Sequence, residues 1–123
     1  MSISIYYVAS RPEPLSPTEQ SVLKSILKKY SVEDQIQKYL DTGDGLDWES
    51  FCLYETPPTS GALLEGATKL PDNSDEATWI GMQHWCAMLS ELRRKIPSAR
   101  WHVTVDDHEI AWDSARQVFD PGM

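Results

Sequence analysis

The chain is short of positive charge. Eleven Lys and Arg stand against nineteen Asp and Glu, a formal net charge of −8 at pH 7. Nucleic-acid binding draws its affinity from a basic footprint, so this balance argues against a nucleic-acid partner. Attraction to an anionic membrane surface is disfavoured for the same reason. The electrostatically natural partner is a basic protein. Long apolar runs are also missing. No stretch approaches the roughly 20 apolar residues that a membrane helix needs. The N-terminal run Met1-Ser2-Ile3-Ser4-Ile5-Tyr6-Tyr7-Val8 has no basic segment ahead of it, so it does not read as a signal peptide, and the expected compartment is the cytoplasm. Cysteine is scarce. Cys52 and Cys86 both sit inside apolar patterns. Two buried thiols in a reducing compartment are favoured, and a Cys52–Cys86 disulfide stays open.

Recognisable catalytic machinery is lacking as well. There is no Gly-x-Ser-x-Gly elbow and no nucleophile signature around either cysteine. Neither a Walker motif nor Gly-x-Gly-x-x-Gly occurs, so nothing cradles a phosphate. His84 and Cys86 lie two apart on an expected helix and therefore point to different sides. The segment Asp41-Thr42-Gly43-Asp44-Gly45-Leu46-Asp47-Trp48-Glu49 has the look of a calcium loop, but its acids are wrongly spaced for an EF-hand, and a solvated loop is the better reading. No pair among the many acids carries the flanking pattern of an acid–base couple. The expectation is a protein that is not an enzyme and needs no cofactor or metal. The alternative is a small ligand- or metal-binding enzyme domain using His102, His108 and the nearby Asp106 and Asp107, or else an adaptor subunit.

What is present suffices for a core. The hydrophobic share is 41%, with five tryptophans, and 123 residues fit one domain spanning the chain. Ile3–Ser10 alternates like a strand. Ser16-Pro17-Thr18-Glu19 supplies an N-cap, a proline at N1 and a capping-box glutamate, followed by the apolar stripe Val22, Leu23, Ile26, Leu27 and Tyr30. Ser31-Val32-Glu33-Asp34 opens a second, short helix that ends at Gly43 or Gly45. Trp48–Glu55 is expected to be a strand, and Ala62–Leu70 another. Pro71-Asp72-Asn73-Ser74-Asp75 breaks the chain and offers N-caps for a long helix over Glu76–Ile96, stopped by Pro97. Arg100–Val105 and His108–Trp112 form a hairpin around Asp106-Asp107, and 114–123 reads as a loosely held tail. The predicted fold is α+β, a mainly antiparallel sheet of about five strands with two main helices, in the order β-α-β-β-α-β-β.

Charge is unevenly placed along this frame. From Tyr39 through Thr68 there is no Lys or Arg, while Asp41, Asp44, Asp47, Glu49, Glu55 and Glu65 fall there. From Trp101 through Ala115 cations are again absent, and Asp106, Asp107, Glu109 and Asp113 occur. Such acids serve solubility or form a docking surface. The docking reading assigns partner contacts to Asp41, Asp44, Asp47 and Glu49, or to Asp106, Asp107 and Glu109, with Trp48 and Trp112 as anchors. In size, acidity, α+β order and acidic runs such as Asp41–Glu49, the whole chain resembles the small immunity proteins of bacterial polymorphic and contact-dependent toxin systems. That resemblance implies tight binding to a cognate toxin domain, covering its active site.

Overall fold

A computed structural model describes residues 3–122. Strand β1 (Ser4–Ser10) lies in the middle of a four-stranded antiparallel sheet. Helix α1 (Pro17–Lys29) and helix α2 (Glu33–Thr42) follow it, then strand β2 (Ala62–Lys69), helix α3 (Ala77–Lys95) and strand β3 (Arg100–Val105). Strand β4 (His108–Glu109) closes the sheet in the order β2-β1-β3-β4. Strands β5 (Ala111–Asp113) and β6 (Val118–Asp120) make a separate two-stranded ribbon. The α+β, antiparallel architecture expected from the sequence is the one found.

Local sequence explains the helices. Ser16 Oγ accepts from Glu19 N at 3.1 Å and Glu19 Oε1 accepts from Ser16 N at 2.9 Å, a complete capping box with Pro17 at N1. Gly43, at φ 76°, ends α2 in the left-handed conformation that costs glycine nothing. Helix α3 carries Trp85, Met88, Leu89, Leu92 and the following Ile96 onto the sheet. The pleat aims Ile5, Tyr7 and Ala9 of β1, Leu64 and Thr68 of β2, and Trp101 and Val103 of β3 at that helix. Tyr6, Val8, Glu65, His102 and Thr104 point to the opposite face, which is open to solvent at Tyr6 and His102.

Four expectations need correcting. Trp48–Glu55 is not a strand but an irregular strap crossing the core face of the sheet. Phe51 stacks on Tyr7 with ring centroids 4.4 Å apart and meets Trp85 at 5.3 Å. The Tyr7 hydroxyl donates to Cys52 O, Thr68 Oγ1 lies 2.7 Å from that hydroxyl, and Cys52 N donates to Thr68 Oγ1 at 3.1 Å. Trp48, Phe51 and Leu53 pack against the core while Cys52 and Tyr54 are exposed, an alternation of apolar side chains that mimics a strand in sequence. Second, the return strand breaks after Glu109, and Ala111–Asp113 leaves the sheet to pair with β6. Third, 118–120 is not a loose tail. Phe119 is only 4% exposed and its N–H donates to Ser90 Oγ at 2.8 Å. Fourth, the residues before α3 do not cap it with side chains: Glu76 is the N-cap and makes no such bond. Both cysteines are free; Cys86 is buried, and burial pushes its thiol up to about 12, whereas Cys52 is exposed.

Candidate protein-binding surface

The two acidic groups identified in the sequence meet at one end of the sheet. Register puts Ser4 opposite Lys69, and Asp106 N donates to Ser4 O at 3.2 Å. The Asp106-Asp107 turn, with Asp106 at φ 53°, therefore sits beside the end of β1, and the end of β2 lies on the other side. The loop after α2 is fastened to the same end. Lys69 Nζ lies 3.6 Å from Asp47 Oδ2 and 3.5 Å from Asp72 Oδ1. Asp72 N donates to Asp47 Oδ1 at 2.8 Å, Asp47 N donates to Asn73 Oδ1 at 3.2 Å, and Asn73 Nδ2 donates to Gly45 O at 3.0 Å. Residues 45–47 and 69–73 are thus laced together across one edge.

This lacing divides the acids by role. Asp47 is a fastener. Burial opposes its ionisation, yet the Asp72 N–H and the nearby Lys69 ammonium outweigh that and hold its carboxyl below the ordinary carboxylate value. Asp44, Glu49, Asp106 and Asp107 are exposed. Asp41, also exposed, takes a bond from Gln37 Nε2 at 2.9 Å on the last turn of α2. Asp72, Asp75 and Glu76, which in the sequence mark only the start of a helix, add to the same end because α3 begins there. Among the described residues, the ion pairs at this end all use Lys69, so the free carboxylates outnumber the cations.

Neither tryptophan is a free anchor. The Trp48 ring packs edge-on against His84 at 5.0 Å and Trp85 at 5.9 Å. It roots the acidic loop in the core. Trp112 lies on the other side of the strand break, away from Asp106-Asp107. Arg93 stacks over its face at 4.2 Å and Phe119 meets it at 5.0 Å. Glu109 pairs with Thr104 on the uncovered sheet face and is exposed. The histidine pair does not converge: His102 faces the uncovered side opposite Val8, whereas His108 pairs with Val105, whose parity is the other face. Among the described residues, no group of three or more His, Cys, Asp or Glu is placed to hold a metal ion, and no helix is long and apolar enough to cross a membrane.

The opposite end of the sheet has the opposite character. Arg100 starts β3 there, Arg11 follows β1, and Arg93, Arg94 and Lys95 close α3. Arg11 is fully engaged: its guanidinium donates to both Glu19 oxygens and to the carbonyls of Glu13, Pro14 and Pro97. The fold therefore separates charge along the strand axis, with exposed carboxylates at the Lys69 end. Comparisons with protein-family models, with curated proteins and with solved structures return no match to this chain.

Proposed function

We propose that this chain is an immunity-type protein that binds a basic toxin domain and neutralises it by covering its working surface. The observation that carries this reading is the convergence of two acidic segments, about 60 residues apart in sequence, on one rigidly laced end of the sheet. Asp44, Glu49, Asp106 and Asp107, together with Asp72, Asp75 and Asp41, make up the docking set. Asp47 and Trp48 support it from within. Clustered carboxylates raise the association rate toward a basic surface, and those that become buried against Arg or Lys add affinity. Pre-fastened loops lower the ordering cost on binding.

The test uses the domain encoded immediately upstream of this chain's gene. That domain should arrest growth when expressed alone in a bacterial host, and co-expression of this chain should restore growth. The triple variant Asp44→Lys, Asp106→Lys, Asp107→Lys should fold and fail to rescue. In vitro its association rate should fall at least tenfold at low salt, and the gap to the parent chain should narrow as ionic strength rises from about 0.01 M to about 0.1 M, where the Debye length shrinks from about 30 Å to about 10 Å. Unchanged rescue by the folded variant would reject the acidic end as the docking surface, and a harmless upstream product would count against toxin neutralisation altogether.

A further inference from the structure

The uncovered face of the sheet holds a second, chemically distinct site. A concavity of about 180 Å³ opens there, between Tyr6, Tyr7 and Val8 of β1, Glu65 and Gly66 of β2, His102 of β3 and Tyr54. Register explains why these residues meet. Glu65, Val8 and His102 stand side by side across β2, β1 and β3 on one face, and Tyr6 is the next residue of β1 on that face. Tyr54 reaches the same place from the strap, whose backbone is pinned to the outer edge of β2 by Tyr54 N donating to Glu65 O at 2.8 Å. Val8, two tyrosines, His102 and the acidic Glu65 are among the residues that line it. The carboxylate is held in place: Glu65 Oε1 accepts from Thr59 N and Oε2 from Thr59 Oγ1, both at 3.0 Å. Tyr6 and Tyr54 remain 45% and 41% exposed, so both keep open aromatic surface beside the concavity, as Trp79 does at 44% on α3.

We infer that this concavity binds a compact organic cation, a quaternary or primary ammonium or a guanidinium group. Aromatic faces carry negative quadrupole potential, and a cation seated over them within about 6 Å is attracted. Glu65 adds a full negative charge. The nearest cations on this face, Arg100 and Lys69, sit at the two ends of the sheet, and Lys69 is committed to Asp47 and Asp72. An anion would meet the wrong potential. A drug-sized or nucleobase-sized ligand would need a pocket of roughly 300 Å³ or more. The same chemistry is available from a free small cation or from a Lys or Arg side chain on another protein. The site is separate from the acidic end, so it stands or falls independently of the docking reading.

The experiment is a two-dimensional amide NMR titration of the full chain with choline, with its uncharged isostere 3,3-dimethylbutan-1-ol, and with a short peptide holding one lysine or, as control, norleucine. Choline or the lysine peptide should shift the amides of residues 6–8, 54, 65 and 102 along saturable curves, and the uncharged partners should not. A response to both cations points to a site open to free ligands; a response to the peptide alone points to a side chain presented by a partner. Tyr54→Leu should weaken binding about threefold to fivefold and Glu65→Gln by about as much, with spectra otherwise native. The charge-reversed acidic-end variant should bind choline as the parent does. Equal shifts from the uncharged isostere, absence of saturable shifts with both cations, or full binding by the folded double variant Tyr54→Leu, Glu65→Gln would each overturn the assignment.

Discussion

Single atoms decide several features of this fold. Gly66 is the clearest. A methyl group there would sit 2.0 Å from Cys52 O and 2.8 Å from the Tyr7 ring, so the strap can cross the sheet only because β2 has no side chain at that point. Both obstacles are held, the carbonyl by the Tyr7 hydroxyl and the ring by Phe51. Gly66→Ala should therefore destabilise the protein by about 2–3 kcal/mol, measured by urea unfolding, which is at the upper end for overpacking because neither neighbour can retreat. In the sequence this glycine reads only as a weakness in a strand; its purpose depends on a partner 14 residues away and on which way the pleat points. Glu19 shows the reverse, a role visible at once. Its capping box was legible in four residues. Hydrogen bonds from Arg11 above all, and from Ser16, hold its carboxyl at about 2 against an ordinary 4.5. A carboxyl depressed in the folded state contributes its stability in full above the unfolded value and loses it as pH falls toward the folded one. The Glu19→Gln variant should thus show a flatter stability profile between about pH 4.5 and pH 2 than the parent chain, in pH-stepped urea titrations.

At the scale of elements, legibility followed local signals. Helices α1 and α3 and strands β1, β2 and β3 carry their own periodicity, caps and breakers, and each was readable within a few residues of its observed bounds. Segments whose conformation is set from outside were not. The strap's density of Trp48, Phe51 and Leu53 announces burial, but burial does not say whether the backbone joins a ladder. The C-terminal ribbon is the second case. Ser114 to Gln117 look like a fraying end, and Asp120-Pro121-Gly122 like a terminus. Three interactions with α3 hold it instead: Ser90 Oγ on Phe119 N, Arg94 on Gln117 O at 2.8 Å, and Arg93 over Trp112. Arg116 also clamps the ribbon by binding Asp113 and Asp120. The ribbon covers Trp101, whose ring centroid lies 6.2 Å from that of Phe119. Phe119→Ala should then cost about 3–5 kcal/mol, the range for a buried phenylalanine, a loss that a frayed tail would not produce. Thermal unfolding of this variant beside Val118→Ala, which is only half-buried, gives the comparison.

For the whole molecule, the candidate site was half legible. The acids were visible as two cation-free stretches, and their types and exposure hold for Asp44, Glu49, Asp106 and Asp107. What sequence order hides is that the stretches share one end of the sheet. That follows from β1 lying between β2 and β3, a pairing over a separation of nearly the whole chain. Topology likewise added Asp72, Asp75 and Glu76, and took Trp112 away. Gathering carboxylates at one end has a thermodynamic consequence. Like charges at short range repel, and here Lys69 is the cation that opposes them by contact. The folded state therefore carries strain that the expanded chain relieves. Neutralising one member, as in Asp44→Asn or Asp106→Asn, should stabilise the protein by a few tenths of a kcal/mol each at about 0.01 M salt. The gain should shrink toward zero at about 1 M, where the Debye length is about 3 Å. Lys69→Met should act oppositely, destabilising more at low salt, because it leaves Asp47 and Asp72 facing each other without a cation. Urea unfolding at the two salt concentrations separates these effects from packing, which salt does not screen. A stabilising neutralisation that also slows capture of a basic partner would mark these carboxylates as kept for binding at the expense of stability.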